Sequence, residues 1–168
     1  MVCGLISATL ACGGPAPAAT APAATAPAAT APAATAPAAT AATNPTITLT
    51  ATDCTAQQLG ALLPAHFVAT LVNKTSFPAM FTFHRMLEGH AYRELEEFIA
   101  EQQRRFVSNE DQLNPPSFTD RFGATTVDST QTKSSEPTLP SGIYGIVCRE
   151  QRTPTRWPAY LIGPFRVP

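Results

Sequence analysis

The sequence predicts a mainly β domain, a sandwich or barrel of short strands with a single amphipathic helix, carried behind a non-globular lead. Three observations carry that prediction. Several short runs alternate apolar and polar residues, with Gly, Pro, Asn and Ser between them. One stretch alone follows the 3.6-residue repeat of a helix. Residues 15–43 of the 168-residue chain are entirely Ala, Pro and Thr, which with the segment before them leaves about 120 residues for one small core.

Residues 1–12, "MVCGLISATLAC", hold a short apolar stretch from Leu5 to Ala11 and then Cys12. They resemble the end of a bacterial lipoprotein signal, in which the cysteine becomes the lipidated first residue. Two features depart from that pattern: Thr9 stands where leucine is usual, and no basic residue precedes the apolar stretch. The alternative is an ordinary signal peptide cleaved near Ala11 or Ala16. Both readings give an exported chain, and the first gives a membrane partner through a lipid on Cys12.

Residues 13–45 form the linker. Proline recurs every fifth residue, at Pro17, Pro22, Pro27, Pro32 and Pro37, within repeats of "PAAT". Each proline removes a helical hydrogen bond, and methyl-sized side chains cannot build a core. A disordered, semi-extended tether is expected, with a reach of up to about 90 Å at polyproline II dimensions.

The domain is expected over residues 46–168. "ITLTAT" alternates Ile47, Leu49 and Ala51 with threonines, as a half-buried strand does. "AHFVATLVN" is a second β-rich run, ended by Asn73. "FPAMFTFHRM" is a third, with Phe81 and Phe83 on one face and Met80, Thr82, His84 and Met86 on the other. In residues 90–106, Tyr92, Leu95, Ile99, Gln102 and Phe106 take helical spacing. Acidic residues crowd the early turns there, and Arg104 and Arg105 lie in the last. Residues 107–122 read as a loop. "ATTVDSTQT" and "SEPTL" read as weak strands, with Pro137 marking an edge. "PSG" turns into "IYGIVC", and "AYLIGPFRV" closes the chain.

The order of these pieces resembles the cupredoxin-like family, in its exported bacterial members. The matching landmarks are "ITLTATD" with Asp53, "VATLVN" with Asn73, the strand-to-helix run "FTFHRMLEGHAYRELEEFI", "LPSGIYGIVC" and "LIGPFRV". Together they span about residues 46–167. The resemblance implies a two-sheet Greek-key sandwich.

The family's copper ligands do not carry over. Where the first histidine would fall, after Asn73, the chain has Ala79 or Met80. Where histidine and methionine would follow the cysteine, it has Arg156 and then Leu161 or Ile162. Cys148 alone is retained, and a type-1 site needs two imidazoles with its thiolate. Copper is therefore not expected, and no other cofactor is. The weak alternative ligand set is Cys148 with His84 and His90. The plainer reading makes His84 a solvated strand-end residue and His90 a helix-start residue, with His66 on the surface.

The resemblance also bears on Cys54, because it puts the loop after the first strand at the same end as Cys148. In an exported domain a Cys54–Cys148 disulfide is favoured, with two buried free thiols or a metal role as the alternatives.

No nucleophile–base pair, phosphate loop or paired-carboxylate motif stands out, so no catalytic residue is assigned and the protein is not read as an enzyme. A net charge of −1 gives no reason to expect a nucleic-acid partner. The sequence reads as a surface-tethered binding or structural module without a type-1 copper site. Phe77, Pro78, Met80, Trp157 and Tyr160 are its candidate contact patch, and core packing is the blander account of them. The rival is a copper electron carrier or copper-handling protein with an atypical ligand set.

Overall fold

A computed structural model describes residues 44–153 and 156–168. The signal segment, Cys12 and nearly all of the linker lie outside the described residues. The elements in chain order are β1 (Thr46–Leu49), β2 (Cys54–Gln57), β3 (Ala69–Asn73), β4 (Ala79–Met86), α1 (Tyr92–Val107), β5 (Thr119–Val127), β6 (Thr132–Ser135), β7 (Gly142–Glu150) and β8 (Ala159–Val167). Among the described residues no helix is long and apolar enough to cross a membrane.

Two four-stranded sheets face each other, one in the order β2-β1-β3-β6 and the other β5-β4-β7-β8. The pair β1–β3 is parallel, and all other pairs are antiparallel. The chain changes sheet after β3, after β5 and again after β6, which makes a Greek-key sandwich. This is the architecture expected from the sequence. Between the sheets, Ile47, Leu49 and Leu71 of the first meet Phe81, Phe83, Tyr144, Ile146 and Phe165 of the second. Phe83 meets Phe67 and Phe165 edge-on at 5.9 and 6.4 Å between centroids, and Tyr144 stacks on Phe165 at 5.5 Å. Burying each such ring stabilises by about 1.5–3 kcal/mol. The Tyr144 hydroxyl donates to the Pro140 carbonyl at 2.7 Å, so its polar end is satisfied.

The helix lies across the outer face of the second sheet. Leu95 and Ile99 pack with Met86, Val147 and Ala159 in a second, smaller core. Gly145 of β7 allows this close approach. A Cβ there would stand 2.8 Å from Leu161 Cδ1, 3.0 Å from Tyr92 Cε2 and 3.2 Å from Leu95 Cδ2. At the helix start Glu94 reaches back to the backbone N–H of Ala91 at 2.9 Å. Near its end Gln102 is buried rather than apolar. Its amide donates to the carbonyl of Leu113 at 3.0 Å and accepts from the N–H of the same residue at 2.9 Å. That pair pins the following loop to the helix.

Several expectations are corrected. The first strand ends at Leu49, and Asp53 sits in the turn beyond it, its carboxylate accepting the Cys54 N–H at 2.7 Å. A short strand, β2, follows where none was expected. The helix runs from Tyr92 to Val107, not 90–106. The loop after it ends at residue 118, because β5 begins at Thr119. Pro137 lies beyond β6, not within a strand. On the outer face of β4, opposite Phe81 and Phe83, Thr82, His84 and Met86 are all buried, Met86 against the helix residues Leu95 and Ile99.

Candidate functional site at the Cys148 end of the sandwich

Cys148 lies on β7 opposite Phe81 of β4 and Tyr160 of β8, and its side chain points into the core. Cys54 opens β2 opposite Leu49. The two are disulfide-bonded across the sandwich, with Cα atoms 6.3 Å apart and a sequence separation of 94. The bond joins the two sheets at the end where β1 turns into β2 and β7 ends.

Asn73, at the end of β3, organises the neighbouring loop. It is 1% exposed. Its Nδ2 lies 2.8 Å from the Phe77 carbonyl, 3.1 Å from that of Val127 and 3.0 Å from that of Asp128. Its Oδ1 accepts the N–H of Thr75 at 3.0 Å and the Thr75 hydroxyl at 2.9 Å. One side chain thus satisfies backbone groups of two connections that would otherwise be buried unpaired.

The positions at which the family resemblance would put copper ligands are occupied by other chemistry. Ala79 is fully buried and pairs with Glu150. Met80 Sδ accepts from Arg149 Nη2 at 2.9 Å. Arg156 reaches the Asn109 side chain and, at 3.2 Å, the Phe106 carbonyl. Leu161 packs toward the helix and Ile162 toward the main core. The thiolate that such a site requires is a disulfide sulfur here. These residues do not fit type-1 copper.

The three histidines lie elsewhere. The expectation of a solvated His84 is corrected: it is 7% exposed, on the face of β4 opposite to Phe81 and Phe83. The second sheet therefore separates it from Cys148. Its Nδ1 meets the Thr119 hydroxyl at 3.1 Å. Burial, with Arg149 and Arg121 nearby, lowers its pKa to about 4, so the ring is neutral at pH 7. His90 is at the helix start, in contact with Glu94 at 2.9 Å and against the Phe118 ring at 5.7 Å. His66 is exposed and meets Thr138 at 3.3 Å. Cys148, His84 and His90 do not converge. Among the described residues, no three His, Cys, Asp or Glu side chains come together as a metal site would require.

The candidate contact patch is only partly a patch. Phe77 is 40% exposed, and the Arg152 guanidinium lies 5.9 Å over its ring. Trp157 is half-buried, with Arg149 5.2 Å over its face. Tyr160 packs against the core while its hydroxyl donates to the Ala51 carbonyl at 3.0 Å. Arg152 also meets the buried carboxylate of Glu150 at 2.9 Å. Sequence reading missed these arginines. The signal was thin: "CREQRTPTRW" carries three of them around the cysteine strand, but nothing local shows which face each takes.

No family model matches this chain, and no curated protein does. Among solved structures, sodium dithionite-reduced auracyanin from the photosynthetic bacterium Roseiflexus castenholzii is similar at 13% identity. That match covers 71% of this chain and 95% of the other, with a TM-score of 0.35. A superposition that loose does not place the chain in a family.

Proposed function

We propose that residues 46–168 are a cupredoxin-like domain that acts as a binding or structural module without a type-1 copper site, and not as an enzyme. The observation that carries this is the Cys54–Cys148 bond: the one sulfur the copper chemistry would need is engaged in holding the sheets together. The landmarks around Asp53, Asn73 and Cys148, and the two-sheet Greek key itself, support the cupredoxin-like part of the reading. Copper(II) added to the oxidised protein is expected to give no intense thiolate-to-metal band, and thiol titration to find no reactive Cys54 or Cys148. A strong visible band that disappears in Cys148→Ser would overturn the reading in favour of a copper carrier.

The same proposal places the domain outside the cytoplasm, held to a bacterial membrane by a lipid on Cys12 and spaced from it by the Ala/Pro/Thr linker. The motif "TLAC" and the proline period support it. Cys12→Ala is expected to move the protein from the membrane fraction to the soluble one. Mass spectrometry of the wild type showing an unmodified N-terminus beyond Ala11 would rule the anchor out.

A further inference from the structure

The outer face of the second sheet holds a cavity of about 500 Å³, roofed by α1 and the 108–118 loop. That size suits a small organic ligand. Its floor is built by strand register. His84 of β4 lies directly opposite Arg121 of β5, and Met80 lies opposite Arg149 of β7, on the same face two pleats away. Arg121 and Arg149 both line the cavity, and among the described residues neither has a carboxylate partner. Arg149 is half-buried, and burial together with the charge of Arg121 makes its protonated form less favourable than usual. Two guanidiniums facing one cavity, neither in an ion pair, leave a net positive site that an anion would neutralise.

The rest of the wall narrows the kind of anion. The helix contributes Phe98, Ile99 and Gln102, none of them charged, and β7 adds Val147. Trp157 forms another side, under the Arg149 guanidinium. The one acidic residue is Asp111, exposed on the roofing loop. Two cations against one carboxylate leave a single positive charge, which a monoanion matches and a phosphate dianion exceeds. The apolar walls favour a hydrocarbon body attached to that charge. His84, held neutral first by burial and then by the two arginines, lies on β4 between the strands that carry them, with Nε2 unpartnered among the described residues, so a bound carboxylate would offset the arginine part of that effect.

We infer that this cavity is a binding site for a small organic monocarboxylate, its carboxylate between Arg121 and Arg149 and its apolar body against Ile99, Val147 and Trp157. The inference gives the binding-module reading a ligand class. It does not depend on the disulfide end, so the copper titration and the experiment below fail or succeed separately.

Trp157 is the chain's single tryptophan, so its fluorescence reports on this cavity in the full-length protein. Titration with hexanoate and with phenylacetate is expected to change that fluorescence saturably. Arg121→Gln and, separately, Arg149→Met should each weaken hexanoate roughly tenfold or more, as loss of a charged hydrogen-bond donor does. Arg121 is exposed, so its variant keeps the test valid if the half-buried Arg149 variant folds poorly. In the wild type, saturating hexanoate should move the His84 imidazole titration upward by NMR. Equal binding of 1-hexanol and hexanoate would reduce the cavity to an apolar crevice and overturn the inference. So would inorganic phosphate competing as well as hexanoate, or the absence of any saturable response.

Discussion

Reducing the Cys54–Cys148 bond is expected to lower the stability of the domain by about 4 kcal/mol, the largest effect foreseen for any single covalent change. The cross-link closes a loop of 94 residues' separation, three quarters of the domain. On the chain-entropy account, freeing the unfolded ensemble from a loop of that length is worth about 4–5 kcal/mol. For a domain of this size such a loss is a large share of the whole stability. Urea unfolding with and without reductant measures it directly, and Cys54→Ala with Cys148→Ala should reproduce the reduced midpoint. Serine at position 148 should be worse than alanine, because that side chain is fully buried and a hydroxyl there has no evident partner. A midpoint insensitive to reductant, with the bond shown to be broken, would mean that packing alone fixes the two sheets.

Acidification is expected to remove on the order of 3 kcal/mol through His84 alone. The ordinary imidazole pKa is 6.5, and burial with two neighbouring arginines brings it to about 4 in the folded domain. Between those values the unfolded chain binds a proton that the folded one refuses. Stability is therefore complete above pH 6.5 and falls as pH is lowered, until the folded pKa near 4 is passed. The carboxylates Glu94, Glu101 and Glu110 are held below their usual range by His90 or by arginines, so their contribution is lost at lower pH than most of this window. His84→Gln, keeping a polar group of similar size for Thr119, should flatten the stability profile between pH 6.5 and 4 while shifting it little at pH 7.5. A wild-type profile flat across that window would show that the ring is already protonated or freely solvated.

How far the sequence reveals the molecule differs by element. The long strands β4, β7 and β8 were legible as apolar, β-favouring runs of eight or nine residues, and the helix as a 3.6-residue pattern over sixteen. The strand β2 was not: "CTAQ" has four residues and an alternation that rests on a cysteine and an alanine alone, and only its pairing with β1 shows it as a strand. The full length of β5 was hidden for a related reason. It is an edge strand with most side chains in or near solvent, and its Gly123, at φ +55°, sits beside the irregularity between Phe81 and Phe83. The misreading of His84 has one cause. Alternation says which residues share a face, but not whether a helix from later in the chain will cover that face.

The disulfide was legible because the folded region contains only two cysteines and the order of landmarks put them at one end. The cavity was not legible at all. His84, Arg121 and Arg149 lie on three strands, and only the pairing of β4 with both β5 and β7 brings them to one surface. Such a site is a product of register, and register is what a single sequence reveals least.

The way the outer strands end bears on how copies of this domain behave when crowded together. An open sheet edge is a template for a second molecule. On β8 the N–H of Ala159 lies 3.2 Å from Gln103 Oε1 of the helix. Further along, Arg166 donates to the Ala61 carbonyl and accepts from the Leu63 N–H, each at 2.9 Å. The edge strands of the other sheet, β2 and β6, are four residues each. Gln58 at φ +60° ends the first, and the second carries Lys133. Along β8, β2 and β6, neighbouring copies at a high local density therefore meet short, capped or charged borders, which leaves β5 as the one long edge from which strand-to-strand growth could begin.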